Sequence, residues 1–185
     1  EKESIINIDG GPRSNTSYEQ LASLKPSFNV KGSVTAGNSS QISDGAGIVM
    51  LVSKKFLKKV AVQHKILFHG YQVLGVAPEH MGIGPIAVVP KLLESSGIKL
   101  EQIDWIELNE AFAAQTCAVM DQLSLPAEKV NPNGGAIALG HPLGATGAIR
   151  TTTLCHGLQR ENKQFGMVTM CIGGGMGAAA LFESV

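Results

Sequence analysis

The sequence is poor in charge and in aromatic side chains, and the charges that it has cancel. Charged residues make up 16% and aromatic residues 5% of 185 positions, and fifteen basic residues balance fifteen acidic ones. Nucleic acids and anionic membranes attract a surplus of positive charge, which is missing here. The apolar runs are broken by glycine, proline or charge before they reach the roughly twenty residues of a bilayer span. We therefore expect neither nucleic acid nor a membrane as a partner.

Cysteine is also scarce, and its spacing excludes the common structural uses. Cys117, Cys155 and Cys171 are odd in number, widely separated and never form a C-x-x-C pair. This pattern indicates neither a disulfide framework nor a zinc site, so we expect no bound metal. Reduced thiols are typical of a reducing compartment, and we expect a cytoplasmic location. The chain begins EKESIINIDGG, without methionine or a signal sequence, which we interpret as the interior of a longer protein.

Glycine, in contrast, is abundant, with 22 residues, and short apolar runs alternate with helical patterns. Strands are predicted at 47–53, 66–76, 103–108, 129–131, 166–171 and 177–183, and helices at 54–60, 84–96, 110–123 and 145–160. This alternation predicts an α/β fold in which helices cover a mixed sheet, five-stranded after residue 65. The first forty or so residues contain turn clusters instead and are expected to wrap over another body.

Two glycine-rich stretches each carry one ionisable side chain. NGGAIALGHPLGATG, residues 133–147, contains His141, and CIGGGMG, residues 171–177, begins with Cys171. Small residues let a substrate approach the backbone closely, and the helix predicted after His141 can shift the pKa of its imidazole. Backbone N–H groups beyond Cys171 can stabilise a thiolate or an oxyanion. Acid–base or nucleophilic chemistry is one interpretation, and a structural histidine with a buried apolar cysteine is the other.

The remaining polar motifs are ambiguous when each is taken alone. Asn109 stands at a strand-to-helix junction, where an ordinary N-cap would explain it, and AGNSS at 36–40 fits a polar turn. Neither glycine-rich stretch follows the G-x-G-x-x-G or the G-K-[ST] pattern, so dinucleotide binding and P-loop chemistry rank low. The other four histidines are interpreted as structural: His64, His69, His80 and His156.

Five motifs in unbroken order carry a family resemblance that no single residue carries. They are TAGNSSQISDGAG at 35–47, PEHMGIGP at 78–85, NEAFA at 109–113 and the two glycine-rich stretches. Together they closely resemble the carboxyl-terminal half of the thiolases, which are the acetyl-CoA acetyltransferases and 3-ketoacyl-CoA thiolases. The resemblance implies a thiolase-like fold, in which two similar α/β halves form an αβαβα layered core and the first half carries an inserted loop domain.

The same resemblance divides the chain into three parts. Residues 1–42 match the end of the loop domain, 43–64 the end of the amino-terminal half, and 65–185 the carboxyl-terminal domain. In the family, the nucleophilic cysteine belongs to the amino-terminal half, which we expect to lie outside this chain. Neither Cys117 nor Cys155 matches it. We therefore expect no thiolase turnover from this polypeptide alone.

The resemblance also implies catalytic roles. His141 matches the histidine that accepts the proton of the nucleophilic cysteine. Cys171 matches the cysteine that exchanges a proton with the α-carbon of the second acetyl-CoA or with the CoA thiol. Asn109 matches the asparagine whose bound water, with the histidine, stabilises the enolate, and Gly173 matches a backbone N–H of a second oxyanion hole.

A further set of matches concerns the substrate, with coenzyme A as cosubstrate and no other cofactor. Ser40 matches a contact to the pantetheine arm, Phe28 a residue that flanks it, and Arg13 one near the nucleotide. Met81 and Phe112 match residues that line the acyl pocket. The implied partners are acyl-CoA and CoA, the amino-terminal half of the same enzyme, and further copies in a homo-oligomer.

Two alternatives stay open at this point. The chain could be a noncatalytic thiolase-like domain that binds CoA or another protein without a nucleophile. Ketoacyl synthases share the fold, but they ordinarily pair two histidines with their cysteine, whereas this chain offers Asn109, His141 and Cys171.

Overall fold

A mixed sheet forms the centre of the carboxyl-terminal part of the chain. The computed structural model describes residues 4–62 and 64–185. Its strands are β1 (Ile66–Gly75), β2 (Ile103–Leu108), β3 (Phe165–Ile172) and β4 (Met176–Ser184), in the spatial order β1-β4-β3-β2. Strand β4 is antiparallel to both of its neighbours, and β2 runs parallel to β3. The expected α/β architecture with a mixed sheet is confirmed.

Helices precede, connect and cover these strands. They are α1 (Tyr18–Ala22), α2 (Lys54–Leu57), α3 (Gly84–Ser96), α4 (Ala113–Leu123), α5 (Ala136–Leu139) and α6 (Thr146–Arg160). Short 3₁₀ helices lie at Ala36–Asn38, Pro78–Ile83, Leu100–Gln102 and Ala127–Lys129. Across the described ranges 4–62 and 64–185, none of the helices combines the length and the apolar character that a bilayer crossing requires.

The two faces of the sheet bury two separate apolar clusters. Successive side chains of a strand point to opposite faces, and β2 is buried on both. On one face, Ile106 and Leu108 pack in a cluster with α3 and α4. On the other, Trp105 packs in a cluster with Leu154 and Leu158 of α6. The sheet is therefore a middle layer, and β2 is fixed from both sides.

Helix α3 follows its sequence signals closely. Pro85 lies in its first turn, where the missing N–H costs nothing. Gly97 ends it in the left-handed conformation, with φ of 70°, and its N–H donates to the carbonyl of Leu93. The prediction of a helix over 84–96 is confirmed.

Helix α4 begins three residues later than predicted. Residues 110–112 are drawn into pairing with the segment around residue 40 instead: Ser39 and Phe112 form an antiparallel bridge, and Ser40 N–H donates to the carbonyl of Ala111 at 3.0 Å. Phe112 accordingly has an extended backbone, with φ of −144° and ψ of 142°. A contact distant in sequence therefore overrides the helical pattern.

Two predicted strands do not form in the described residues. In the predicted strand 129–131, Val130 makes only an isolated parallel bridge to Ile106, so the sheet has four strands rather than five. Residues 47–53 form no strand, and Ile48 and Met50 are 89% and 82% exposed. An apolar run needs a neighbouring strand to satisfy its backbone and cover its side chains. The described residues supply no such neighbour at 47–53.

Candidate active site

A chain of hydrogen bonds joins three polar side chains at the candidate site. Asn109 Nδ2 lies 3.3 Å from His141 Nε2, and His141 Nδ1 lies 2.7 Å from Thr146 Oγ1. The Thr146 hydroxyl also lies 2.9 Å from the carbonyl oxygen of Pro142, to which it donates. Both ring nitrogens of His141 therefore have partners, which fixes the orientation of the imidazole.

The sheet brings Asn109 and Cys171 to the same edge. Asn109 directly follows β2, and its N–H donates to the carbonyl of Thr169 on β3 at 3.0 Å. Cys171 lies two residues beyond Thr169, about 6.6 Å further along the strand at the usual rise. Because β2 and β3 are parallel, their carboxyl ends lie at one edge of the sheet. The Asn109–His141 contact brings His141 to that edge as well.

Glu110 links the asparagine to the glycine-rich stretch that carries the histidine. Its carboxylate accepts hydrogen bonds from Asn131 Nδ2 at 2.7 Å and from the N–H of Ile137 at 3.2 Å. A Cβ atom added at Gly135 would overlap this carboxylate, so glycine is required there for the close approach. Glu110 thus holds α5 against the loop after β2.

A buried ion pair contacts the glycine-rich stretch 133–147 that carries His141. Arg150 of α6 lies 3.1 Å from the Glu107 carboxylate on β2 and donates to the carbonyl of Gly134 at 3.0 Å. Trp105 Nε1 donates to the other Glu107 oxygen at 2.8 Å. The side chains of Glu107 and Arg150 are 0% and 3% exposed. Even so, burial raises the pKa of Glu107 against the opposing effect of these two donors.

The pKa values of the histidine and the late cysteine shift in opposite directions. Burial lowers the pKa of His141, and the positive charge of Arg150 lowers it further. Burial raises the pKa of the Cys171 thiol. Near neutral pH, His141 is therefore a neutral imidazole that can accept a proton, and Cys171 is a thiol that can donate one. Burial is the first cause of both shifts, because it favours the neutral form of each group.

The segment around residue 40 runs directly beside this site. The N–H of His141 donates to the carbonyl of Gln41 at 3.1 Å, and Ile42 bridges His141. The rings of Phe28 and Phe112 meet edge to face, with centroids 6.0 Å apart. The structure thus brings Phe28, Ser40 and Phe112, three residues of the predicted substrate set, to the region of His141 and Asn109.

The other predicted residues lie further out. Arg13 is exposed, two residues from Gly11, whose carbonyl accepts a hydrogen bond from Gln41 Nε2 at 3.1 Å. Met81 is half-buried in the 3₁₀ helix Pro78–Ile83. Its neighbourhood is tied to the turn between β3 and β4, since the N–H of Val76 donates to the carbonyl of Gly175 at 2.8 Å. Contacts of Arg13 and Met81 with substrate stay predictions.

Gly173 lies in the exposed turn between β3 and β4. A Cβ atom added there would meet nothing within 4 Å, and the same holds at Gly174. Gly174 and Gly175, however, have φ of 90° and 93°, which favours glycine. Neither a lack of space for a side chain nor a positive φ explains why residue 173 is a glycine. Its role as an N–H donor to substrate stays a prediction.

The sequence interpretation missed Thr146, Glu110 and the Glu107–Arg150 pair. A signal existed for the pair, because Glu107 is a charge between Ile106 and Leu108 in a predicted strand. Among residues 4–62 and 64–185, no group of three or more histidine, cysteine, aspartate or glutamate side chains is placed to hold a metal ion. The expectations on metal and cofactor stay predictions.

Comparisons with known proteins agree with the sequence resemblance. The family model described as "Thiolase, C-terminal domain" matches residues 62–184, and "Thiolase, N-terminal domain" matches residues 1–55. The 3-ketoacyl-CoA thiolase of Bacillus subtilis is 51% identical over 183 residues, which are 99% of this chain and 47% of that protein. A peroxisomal 3-ketoacyl-CoA thiolase of Arabidopsis thaliana is 48% identical over 185 residues, 42% of its length.

Solved structures resemble the chain equally well. The acetyl-CoA acetyltransferase of Bacillus anthracis superposes with a TM-score of 0.95 at 44% identity, over 100% of this chain and 47% of that one. Human mitochondrial 3-ketoacyl-CoA thiolase in complex with CoA gives a TM-score of 0.87 at 40% identity, over 97% of this chain and 46% of that one. The fold and the edge of the sheet that carries the site define a thiolase-like α/β protein.

The chain belongs to the thiolase family. It spans about half the length of the curated relatives described above, at 47% and 42%. The expected family and fold are confirmed. Because the relatives include bacterial and peroxisomal proteins, the cytoplasmic location is not confirmed.

Proposed function

We propose that this chain provides the carboxyl-terminal half of a thiolase-type acyltransferase, which transfers an acyl group between CoA thioesters. The proposal rests chiefly on the hydrogen bond between Asn109 and His141, formed at the edge of the sheet where Cys171 lies near the end of β3. Relatives named 3-ketoacyl-CoA thiolase and acetyl-CoA acetyltransferase support this reaction class. In the complete enzyme, the reaction is thiolysis of a 3-ketoacyl-CoA or the reverse Claisen condensation.

His141 serves as the base that generates the nucleophile. Its lowered pKa keeps the imidazole neutral near pH 7, and its Nε2 lone pair accepts the proton of a cysteine thiol in the amino-terminal half. The resulting thiolate attacks the thioester carbonyl carbon of acetyl-CoA in condensation, or the 3-keto carbonyl carbon of the 3-ketoacyl-CoA in thiolysis, and forms an acyl-enzyme. The group expelled is the CoA thiolate in condensation, which takes a proton from the Cys171 thiol, and the enolate of acetyl-CoA in thiolysis. The imidazolium returns its proton to the nucleophilic cysteine when the acyl group leaves that cysteine.

Cys171 serves as the proton donor and acceptor at carbon. In thiolysis, its thiol, which has a raised pKa, protonates the α-carbon of the departing acetyl-CoA enolate. The thiolate left on Cys171 then takes the proton of the incoming CoA thiol, which attacks the acyl-enzyme. Condensation reverses these transfers, so each proton that leaves one group arrives on another.

Asn109 helps to stabilise the enolate oxygen. Its side chain is fully buried, and Oδ1 has no hydrogen-bond partner among the described residues. A buried amide oxygen of this kind costs free energy unless it accepts a hydrogen bond, and a bound water can supply one. A water held by Asn109, together with the protonated Nε2 of the His141 imidazolium, would donate to the enolate, and the N–H of Gly173 would donate at the second oxyanion hole.

The substrate approaches along the segment around residue 40. Ser40 contacts the pantetheine arm, Phe28 flanks it, and Arg13 lies near the nucleotide, while Met81 and Phe112 line the acyl pocket. The edge-to-face contact between Phe28 and Phe112 supports a common apolar wall. A solved relative in complex with CoA supports CoA as cosubstrate.

The proposed partner of this chain is the amino-terminal half of the enzyme. Residues 48–52 carry five apolar side chains that are exposed here: Ile48, Val49, Met50, Leu51 and Val52. Exposed apolar area of this kind is typical of an interaction surface. On this proposal, 1–42 end the loop domain, 43–64 complete the amino-terminal half, 65–185 form the second half, and the whole enzyme is a homo-oligomer.

An enzyme joined from two proteins tests the proposal. The amino-terminal half of the Bacillus subtilis 3-ketoacyl-CoA thiolase is placed before this chain to give the joined enzyme. We expect the joined enzyme to cleave acetoacetyl-CoA, and the 185-residue chain alone to be inactive. His141→Ala in the joined enzyme should lower kcat at least about 10²-fold, as expected for loss of a general base, whereas His156→Ala should not.

Each other outcome is informative. If the joined enzyme is folded and binds CoA without turnover, the chain is a noncatalytic CoA-binding module. Equal kcat for the His141→Ala and His156→Ala variants would contradict the role of His141. Cleavage by the chain alone, above its His141→Ala variant, would show that no further half is needed.

A further inference from the structure

Thr146 contacts the second ring nitrogen of His141, and the proposed reaction does not explain this contact. The side chain of Thr146 belongs to the first residue of α6, five positions after His141 in the sequence HPLGAT. The residue is 2% exposed, and its Oγ1 lies 2.7 Å from His141 Nδ1. Such a short and buried contact must be a hydrogen bond with a defined direction.

The direction follows from counting protons. A threonine hydroxyl has one proton, and a carbonyl oxygen can only accept. Oγ1 lies 2.9 Å from the carbonyl oxygen of Pro142, so that contact is attractive only if the hydroxyl proton points to the carbonyl. The hydroxyl then has only lone pairs to offer to His141. Nδ1 must therefore carry a proton and donate it to Oγ1.

The contact on the other side of the ring agrees with this direction. If Nδ1 carries the proton of the neutral imidazole, Nε2 has a free lone pair. The Asn109 Nδ2 group, which can only donate, lies 3.3 Å from that atom. All three hydrogen bonds then run one way, from Asn109 through His141 and Thr146 to the carbonyl of Pro142.

The helix holds Thr146 in place for this task. The N–H groups of Ala145 and Thr146 both donate to the carbonyl of Pro142, at 2.8 and 2.9 Å. One turn later, Arg150 is fixed by Glu107 and by the carbonyl of Gly134. The first two turns of α6 thus hold the loop of His141 at both ends, and the backbone position of Thr146 is fixed by helical contacts.

We propose that Thr146 is a positioning residue that holds neutral His141 in the Nδ1–H tautomer, so that Nε2 is the atom that accepts the substrate-linked proton. The use of Nε2 in catalysis rests on the proposed function, but the tautomer itself does not. In the opposite tautomer, Nε2 would carry a proton towards the Asn109 amide and could not act as a base. The hydroxyl therefore selects the reactive form of the imidazole before substrate binds.

Nitrogen NMR of the complete 185-residue chain tests the tautomer without any assay of activity. Histidine labelled with ¹⁵N gives five ring systems, and the His141→Gln variant identifies the signals of His141. The spectra are recorded about two pH units above the ordinary imidazole pKa of ~6.5, where the ring is neutral. We expect a protonated Nδ1 and an unprotonated Nε2. An unprotonated Nδ1 in the unsubstituted chain overturns the proposal without any variant.

Substitutions at Thr146 then test whether its hydroxyl group determines the tautomer of His141. Thr146→Val removes the acceptor for Nδ1–H and should lower the ratio of Nδ1–H to Nε2–H tautomer roughly fivefold, as expected for loss of one net hydrogen bond. Thr146→Ser keeps the hydroxyl and should restore the ratio. Thr152→Val is the matched control, because Thr152 makes the same backbone contact on α6, to Ala148 at 2.8 Å. An unchanged tautomer ratio in Thr146→Val overturns the proposal.

Kinetics of the joined enzyme distinguish the positioning role of Thr146 from the proposed acyltransferase function. Thr146→Val should lower kcat by the same factor as it lowers the fraction of Nδ1–H tautomer, with KM little changed, and Thr146→Ser should recover it. A shifted tautomer in an enzyme whose kcat is unaffected would keep the positioning role and contradict the use of Nε2 as base. If the joined enzyme without substitutions is inactive but His141 has the expected tautomer, only the proposed function is contradicted.

Discussion

Two apolar runs of the chain, both predicted as strands, differ in structure and in burial. Residues 103–108 form β2 and are buried on both faces, whereas residues 48–52 are exposed and form no strand. The first run has β3 at its side and helices above and below it. The second has no neighbouring strand among the described residues, and Thr35 is the only buried residue in the described range 4–62. Apolar sequence thus specifies the capacity to form a strand, and neighbours decide whether one forms.

Replacing one isoleucine in each region gives the sharpest contrast. Ile106 is fully buried, so Ile106→Ala should lower the free energy of unfolding by about 2–5 kcal/mol. Ile48 is 89% exposed, and Ile48→Ala should change it by no more than about 0.5 kcal/mol. Urea unfolding of the two variants measures both values. Comparable losses would show that residues 48–52 are packed in the isolated chain.

The buried ion pair should prove nearly as sensitive. Arg150→Met leaves the Glu107 carboxylate buried without its charge partner, which should cost about 3–5 kcal/mol of unfolding free energy. Lys91→Met on α3 breaks an exposed pair with Glu94 and should cost much less. Chemical denaturation compares the two. Equal effects would mean that Glu107 is solvated and that the helical layer over β2 is loose.

Glycine substitutions test how tightly the backbone is packed in each region. A Cβ at Gly84 would lie 2.8 Å from the Cα of Gly177, so Gly84→Ala should cost about 1–3 kcal/mol. At Gly10 nothing lies within 4 Å of such an atom, and Gly10→Ala should be nearly neutral. Thermal unfolding gives the difference in Tm. A neutral Gly84→Ala variant would contradict the close contact between α3 and β4.

The smallest expected effect is the dependence of stability on pH. Burial and Arg150 lower the pKa of His141, so below the unfolded value of ~6.5 the unfolded chain binds a proton more readily than the folded one. Stability should therefore fall as pH drops through ~6.5 towards the lowered pKa. His141→Gln should reduce this slope, and His156→Gln serves as control. An unchanged slope in His141→Gln would place His141 outside the buried site.

The sequence predicted some features of the fold better than others, for physical reasons. The bounds of α3 follow from Pro85 and Gly97, which act locally. The late start of α4 depends on pairing between residues 39–40 and 111–112, which no local pattern reports. The predicted strand at 129–131 failed because Lys129 ends a 3₁₀ helix and Asn131 has a φ of 47°, so only Val130 between them is extended.

At the candidate site, too, local sequence signals were found and contacts between distant residues were missed. His141 and Cys171 were singled out by their glycine-rich surroundings, and Asn109 by the family motif. The hydrogen bond between Asn109 and His141 joins residues 32 positions apart, so only the folded structure reveals it. Thr146 escaped notice because a threonine at the start of a helix has an ordinary structural explanation, and only the distance to Nδ1 reveals its partner.

The central claim is that Asn109, His141 and Cys171 act on one bound thioester. Deuterium exchange tests it most directly: acetyl-CoA is incubated in D₂O with the joined enzyme after the nucleophilic cysteine of the added half is replaced by alanine, and loss of the methyl proton signal is followed by NMR. We expect exchange to continue in this protein and to fall at least about 10²-fold on Cys171→Ala, but not on Cys155→Ala. Exchange that is insensitive to Cys171→Ala would contradict the account.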